Sequence, residues 1–252
     1  MSQTLRFVTW NIHKGIGTDG RYRLERTIEV LRALDADVVC LQEVDENVPR
    51  SKGHSQARVL ADALEYPHVA LGLNVSVAGG HYGNCTLSKR AILSSENVDL
   101  TIPLKKRRSA LVSRIEGVHG ISWTVANVHL GLVHFERKMQ LKSLFRTVLP
   151  SVPPDDPLVI AGDWNEWLNR LFRNVAAREG FRIARLESHR PSGAKTYPSR
   201  RPMAALDKIL YREPLVVKHV ACVLDARHAS DHLPLVAELH LPARRAHARH
   251  AG

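Results

Sequence analysis

Cysteine is scarce in this chain: Cys40, Cys85 and Cys222 are all it has. An odd count without paired spacing excludes a disulfide framework and a thiolate zinc site. Cys40 and Cys222 sit in apolar runs and are expected to be small core residues. No apolar run reaches the roughly 18 residues that a membrane helix requires. The opening MSQTLRFVTWNIH has no long apolar segment of the signal-peptide kind, so a cytoplasmic enzyme with no transmembrane segment is expected. No Pro/Ser-rich linker, low-complexity tract or short-period repeat divides the 252 residues, which suit one large domain.

Positive charge is plentiful. The formal net charge is +11. Arg244, Arg245 and Arg249 fall in the last ten residues, and taking those three away leaves +8 for the body. A basic surface implies an anionic partner, whether nucleic acid, lipid head group or small phosphoester. Residues 243–252 read as a basic, disordered tail after a domain spanning 1–242.

Short β-branched runs alternate with amphipathic stretches. Strands are expected at 5–10, 36–44, 68–73, 84–89 and 121–130, in two runs beginning at Ala91 and Ser109, at 157–165, and in three closing runs. Helices are expected over 21–34, 56–64, about 137–149 and 168–177, and a polar loop over 186–203. Many strands in mixed order with few helices suggest two packed sheets with helices outside.

The informative feature is where the polar residues fall. Strand-like runs end in Asn11-Ile12-His13, Gln42-Glu43, Asn127-Val128-His129, Gly162-Asp163-Trp164-Asn165, Asp207-Lys208 and Ser230-Asp231-His232. A carboxylate at the end of a buried strand is costly unless a metal or hydrogen-bond partner compensates it. Hard oxygen donors without thiolate favour Mg²⁺ or Mn²⁺ over zinc.

Taken together, TWNIHKG, LQEV, HYGNCTLSKR, NVHLGL, AGDWNEW, LDKIL and SDHLPL resemble the ordered motif series of the endonuclease/exonuclease/phosphatase (DNase I-like) superfamily, over residues 9–235. The resemblance implies a four-layer α/β sandwich and a metal-dependent phosphoric ester hydrolase. It also implies roles by position. Glu43, with Asn11 and Asp231, would hold the metal. Asp163 would orient or deprotonate the attacking water, and Asn165 would bond a non-bridging oxygen. His232, paired with Asp207, would contact phosphate or shuttle a proton. His129 would ligate phosphate or protonate the leaving alkoxide. Asn84, Arg90 and Lys14 are candidate substrate contacts. Trp164 and Trp167 read as a packed aromatic and a rim residue.

The late motif Leu-Asp-Lys differs from the repair-nuclease type, and no carboxylate lies between His81 and Arg90 where DNase I carries one. The branch resembled most is that of small bacterial hydrolases. A phosphodiesterase or phosphatase is therefore expected. A nuclease is the alternative, and a catalytically silent binding module with this fold is the reading from another class. No obligate protein partner is evident.

Overall fold

The computed structural model describes residues 2–153, 155–185 and 194–243. Most of the expected tail, from Arg244 onward, and the 186–193 part of the expected polar loop lie outside them.

Among the described residues, twelve strands form two six-stranded mixed sheets. The first contains β1 (Gln3–Asn11), β2 (Val38–Glu46), β3 (His68–Val77), β4 (Gly80–Ser88), β11 (Val216–Cys222) and β12 (Leu235–Leu241). The second contains β5 (Ile92–Asp99), β6 (Ser109–Glu116), β7 (Ser122–His129), β8 (Leu158–Asp163), β9 (Arg182–Ile183) and β10 (Asp207–Tyr211). Helices α1 (Leu24–Leu34) and α2 (Gln56–Leu64) cover one outer face. Helices α3 (His134–Val148) and α4 (Arg170–Asn174) cover the other.

Three apolar layers separate these four. Phe7, Val38, Trp123, Val125, Val159 and Leu239 fill the space between the sheets. Val8, Trp10 and Leu41 face α1 and α2. Ala126, Val128 and Ile160 face α3 and α4. Every residue of β7 and of β8 is buried, which is why those strands read as unbroken apolar runs.

The sheets share one connectivity. Their orders are β11-β12-β1-β2-β4-β3 and β5-β6-β7-β8-β10-β9. Each has one parallel pair at its centre, β1 with β2 and β7 with β8, and antiparallel neighbours outside. Asn11 lies opposite Gln42 and His129 opposite Asp163 at the carboxyl ends of those pairs. Crevices beyond the carboxyl ends of parallel strands are where such sheets collect ligand-binding groups.

Several expected boundaries move. The strands placed at 68–73 and 84–89 extend toward each other and leave only a hairpin turn at Ala78-Gly79 between them. The expected 168–177 helix breaks at Val175, whose φ/ψ of −128°/−66° is not helical, into α4 and a 3₁₀ turn over Ala176–Glu179. Helix α3 starts at His134, three residues early. Cys222 is only half-buried, because β11 is an edge strand, whereas Cys40 and Cys85 are fully buried.

Candidate active site

The site is assembled where the two parallel pairs end. Asp163, last in β8 and 1% exposed, is its centre. Gly162 precedes it with φ 151°, and a Cβ there would lie 1.9 Å from the Val128 carbonyl oxygen. Glycine is thus required for β8 to approach β7 and deliver the carboxylate. Asp163 Oδ1 accepts from the Asn165 backbone N–H at 2.9 Å. Its Oδ2 accepts from Asn11 Nδ2 at 3.1 Å, across the gap between the sheets. His129 Nε2 and His232 Nε2 lie 3.6 and 3.8 Å from the same oxygen.

His232 is held on its other side. Its Nδ1 is 2.8 Å from Asp207 Oδ2, and the Thr196 hydroxyl donates to that oxygen at 2.5 Å. The ring packs against Tyr197 with centroids 4.9 Å apart. Burial alone would discharge His232, but Asp207 and then Asp163 outweigh it and raise its pKa to about 10. For His129, burial acts first and the Arg108 guanidinium second. Together they push its pKa down to about 4, against the pull of Asp163 and Glu43. One carboxylate is therefore flanked by an imidazolium and a neutral imidazole at neutral pH.

Glu43 reaches the site through an irregular backbone. Pairing of β2 with β4 slips between Leu41 and Val44, and Glu43 sits at φ 56° inside that bulge. Bulges re-aim side chains and recur beside functional sites. The Glu43 carboxylate pairs with Lys14 Nζ. Burial opposes its ionisation, yet nearby cations hold its pKa down at about 2. His129, which is charged at the low pH where Glu43 titrates, acts first, and Lys14 in direct contact acts next. Asp231 stands 3.9 Å from His13 Nδ1, and Asn11 Oδ1 accepts from the His13 N–H at 3.0 Å. The left-handed turn at His13-Lys14, with φ 46° and 63°, thus sits among Asn11, Glu43 and Asp231.

Two groupings could hold a cation. Asp163, Asp207 and His232 bring ligand atoms within 4.8 Å of one another. Those atoms are already engaged with one another, and an imidazolium offers no lone pair to a metal. Glu43, Asn11 and Asp231 present only hard oxygen donors and fit Mg²⁺ or Mn²⁺ chemically. There an ion would compete with Lys14 for Glu43.

Two sequence-based expectations are corrected by position. Arg90 follows β4 at the end of the sheet where Ser88 pairs with Val38, the end opposite Asn11 and Glu43, and its Nε donates to the Glu116 carbonyl. It therefore stands away from the candidate site. The Asn84 amide donates to the carbonyls of Ser109 and Asn127 at 3.2 and 3.1 Å, tying the two sheets together, so it has no free donor for phosphate. The remaining nine named residues are Asn11, Lys14, Glu43, His129, Asp163, Asn165, Asp207, Asp231 and His232, and they stand at the same end of the sandwich.

Further residues support the site. Arg108 is 5% exposed, its Nε has no partner among the described residues, and it is near enough to depress His129. Thr196 supports Asp207 by donating its hydroxyl to the carboxylate. Gln42 and Asn127 bond each other at 2.8 Å across the sheets, and Asn127 Nδ2 also holds the Leu41 and Cys85 carbonyls. Lys208 is buried and donates to the Glu166 and Ala205 carbonyls, pinning the loop after Asp163, and burial lowers its pKa to about 8. Trp164 is fully buried and Trp167 is 65% exposed, a packed ring and a rim residue as expected.

The sequence model of the Endonuclease/Exonuclease/phosphatase family matches residues 8–232. The chain belongs to that family. YbhP of Escherichia coli strain K12 is 33% identical, with 94% of this chain and 97% of that protein covered. An endonuclease/exonuclease/phosphatase structure from Beutenbergia cavernae is similar at 26% identity and TM-score 0.78, covering 96% of this chain and 72% of that one. Another, from Bacteroides vulgatus, gives TM-score 0.76 at 20% identity, with 95% and 100% covered, and shows the shared fold alone. The family is one of phosphoester hydrolases, and the four-layer sandwich is its architecture.

Proposed function

We propose that this protein is a Mg²⁺- or Mn²⁺-dependent phosphodiesterase or phosphatase that cleaves a P–O bond by attack of water. The observation carrying this reading is the single carboxylate of Asp163 flanked by two histidines of opposite charge state, with Glu43 and Asn11 beside it.

Pairs of titratable groups driven apart in pKa divide acid and base work. Asp163, fixed by Asn11 and the Asn165 N–H, orients the attacking water and helps take its proton. His129, neutral at working pH, cannot serve as the acid expected from the motif comparison; it hydrogen-bonds phosphate or accepts a proton. His232, kept protonated by Asp207, directs Nε2–H at the phosphate and can give that proton to the leaving oxygen. Asn165 keeps one amide N–H for a non-bridging oxygen, since the other serves the Leu130 carbonyl. Arg108 and Lys14 supply positive charge around the ester. Glu43, Asn11 and Asp231 would hold the divalent ion, which when bound would polarise a phosphoryl oxygen as a Lewis acid.

A direct test compares bis(p-nitrophenyl) phosphate, p-nitrophenyl phosphate and plasmid DNA with Mg²⁺ or Mn²⁺. Diester or monoester turnover that falls at least about 10²-fold in Asp163→Asn is expected. Nicking of the plasmid lost in the same variant would instead favour a nuclease. No turnover of any of them, with no metal binding by calorimetry, would refute hydrolysis.

A further inference from the structure

Large apolar side chains are unevenly spread over the surface. Seven of the most exposed lie around the mouth of the site: Leu104, Leu132, Val133, Phe135, Trp167, Leu168 and Met203. Leu104 belongs to the β5–β6 loop, Leu132 and Val133 to the β7–α3 loop with Phe135 in the first turn of α3, Trp167 and Leu168 to the β8–α4 loop, and Met203 to the segment entering β10. Register places those four segments side by side. Asp99 pairs with Ser109, Ala110 with Val128, His129 with Asp163, and Asp163 with Asp207. They form one continuous rim along the end of the second sheet that carries Asp163 and His129.

The rim is built to hold these side chains outward. Arg137 Nη1 donates to the Leu132 carbonyl at 2.5 Å, and the Gly131 N–H donates to Gln140 Oε1 at 2.8 Å. Lys208 holds the Glu166 carbonyl, and the Leu171 N–H donates to Glu166 Oε1 at 2.6 Å. The rim is also cationic. Exposed Lys105, Lys106 and Arg107 follow Leu104, and exposed Arg200 and Arg201 precede Met203. Of the acidic residues near these loops, Glu136 and Glu166 are 5% and 2% exposed, while Asp99, at the start of the β5–β6 loop, is exposed and lies near Arg107, so five exposed cations face one exposed carboxylate among these described segments.

Isolated exposed apolar residues need no explanation, but clusters mark interaction sites. Five of the seven are aliphatic and cannot stack on nucleobases as aromatic platforms do. We propose that this rim docks on an anionic lipid bilayer, its apolar side chains entering the interface while Lys105, Lys106, Arg107, Arg200 and Arg201 meet head-group phosphates. The docked mouth then opens toward the head groups. Docking is independent of whether the site hydrolyses phosphoesters, and it is read without turnover.

Trp167 reports insertion directly, because Trp10, Trp123 and Trp164 are fully buried. The full chain is mixed with vesicles of phosphatidylcholine alone, or of phosphatidylcholine and phosphatidylglycerol in equal parts. Co-sedimentation with the anionic vesicles and a blue shift of Trp167 emission are expected. The Lys105→Glu/Lys106→Glu/Arg107→Glu variant is expected to bind about a hundredfold more weakly, near the scale of three lost basic contacts. The Leu132→Ser/Phe135→Ser variant should lose the emission shift, with an unchanged thermal midpoint confirming that it is folded. Absence of vesicle binding, or binding indifferent to both variants, would overturn the proposal. So would a Trp167 response to a single-stranded oligonucleotide but not to vesicles, which would assign the rim to nucleic acid.

Discussion

Replacing Asp207 by Asn tests the electrostatics of the site most sharply. Asn keeps the size of the side chain and removes its charge. Asp207 is 2% exposed and accepts from His232 Nδ1 at 2.8 Å and from Thr196 at 2.5 Å. A charge-assisted hydrogen bond of this kind contributes about 1.5–3 kcal/mol, so the His232 pKa should fall from about 10 by roughly one to two units. The stability consequence has a definite sign. A histidine raised from 6.5 to about 10 contributes stability that is complete below about pH 6.5 and is lost as pH rises through about 10. The full contribution is on the order of 4 to 5 kcal/mol. Histidine ring NMR of the metal-free protein measures the pKa, and denaturant unfolding between pH 6 and 10 measures the stability. Wild-type stability should decline across that range, and the variant should reach its floor at lower pH. Turnover should fall about 10²-fold or more, because Asn can donate toward Nδ1 and favour the wrong tautomer. A wild-type His232 titrating near 6.5, or one indifferent to Asp207→Asn, would refute the reasoning.

Three further outcomes follow. Gly162→Ala should destabilise the fold by several kcal/mol in denaturant unfolding, since its Cβ would lie 1.9 Å from a backbone oxygen that cannot move aside. Phe7→Ala, removing a fully buried ring whose centroid is 5.6 Å from that of Trp123 between the sheets, should cost about 3–5 kcal/mol in the same assay. Lys14→Met should tighten Mn²⁺ binding about tenfold in calorimetry, because it removes the ammonium that competes for Glu43.

Much of the fold was legible because buried strands and amphipathic helices leave different periodicities. The 56–64 helix coincides with α2, and the polar ends of the apolar runs are the ends that meet at the site. What could not be read depends on pairing between distant segments. Nothing around Asn84 reveals that its amide will be consumed by carbonyls on β6 and β7, and nothing around Arg90 reveals that four further residues of β4 carry it to the far end of the sheet. The bulge at Glu43 was likewise hidden, because its left-handed backbone is imposed by the partner strand and not by glycine. Arg108 closes the basic run Lys105-Lys106-Arg107-Arg108, whose first three members are exposed, and the pairing of Ser109 at the start of β6 draws it inward.

The contrast between the two histidines follows from their places in the sandwich. His129 ends a central strand, is enclosed by β6 and β8, and meets Arg108 from the neighbouring segment, so burial and a like charge both favour the neutral ring. His232 lies outside any strand, in the segment that leads into β12 of the first sheet, while Asp207 begins β10 of the second. Joining the sheets therefore brings an imidazole from one against a carboxylate from the other, and the pair forms only when the domain closes. Asn11 and Asp163 repeat the arrangement, one from each sheet. The polar contacts that create the reactive groups thus also fasten the sheets together, which couples site geometry to folding: a substitution that loosens the sandwich should disturb the charge of His232 before it disturbs that of His129.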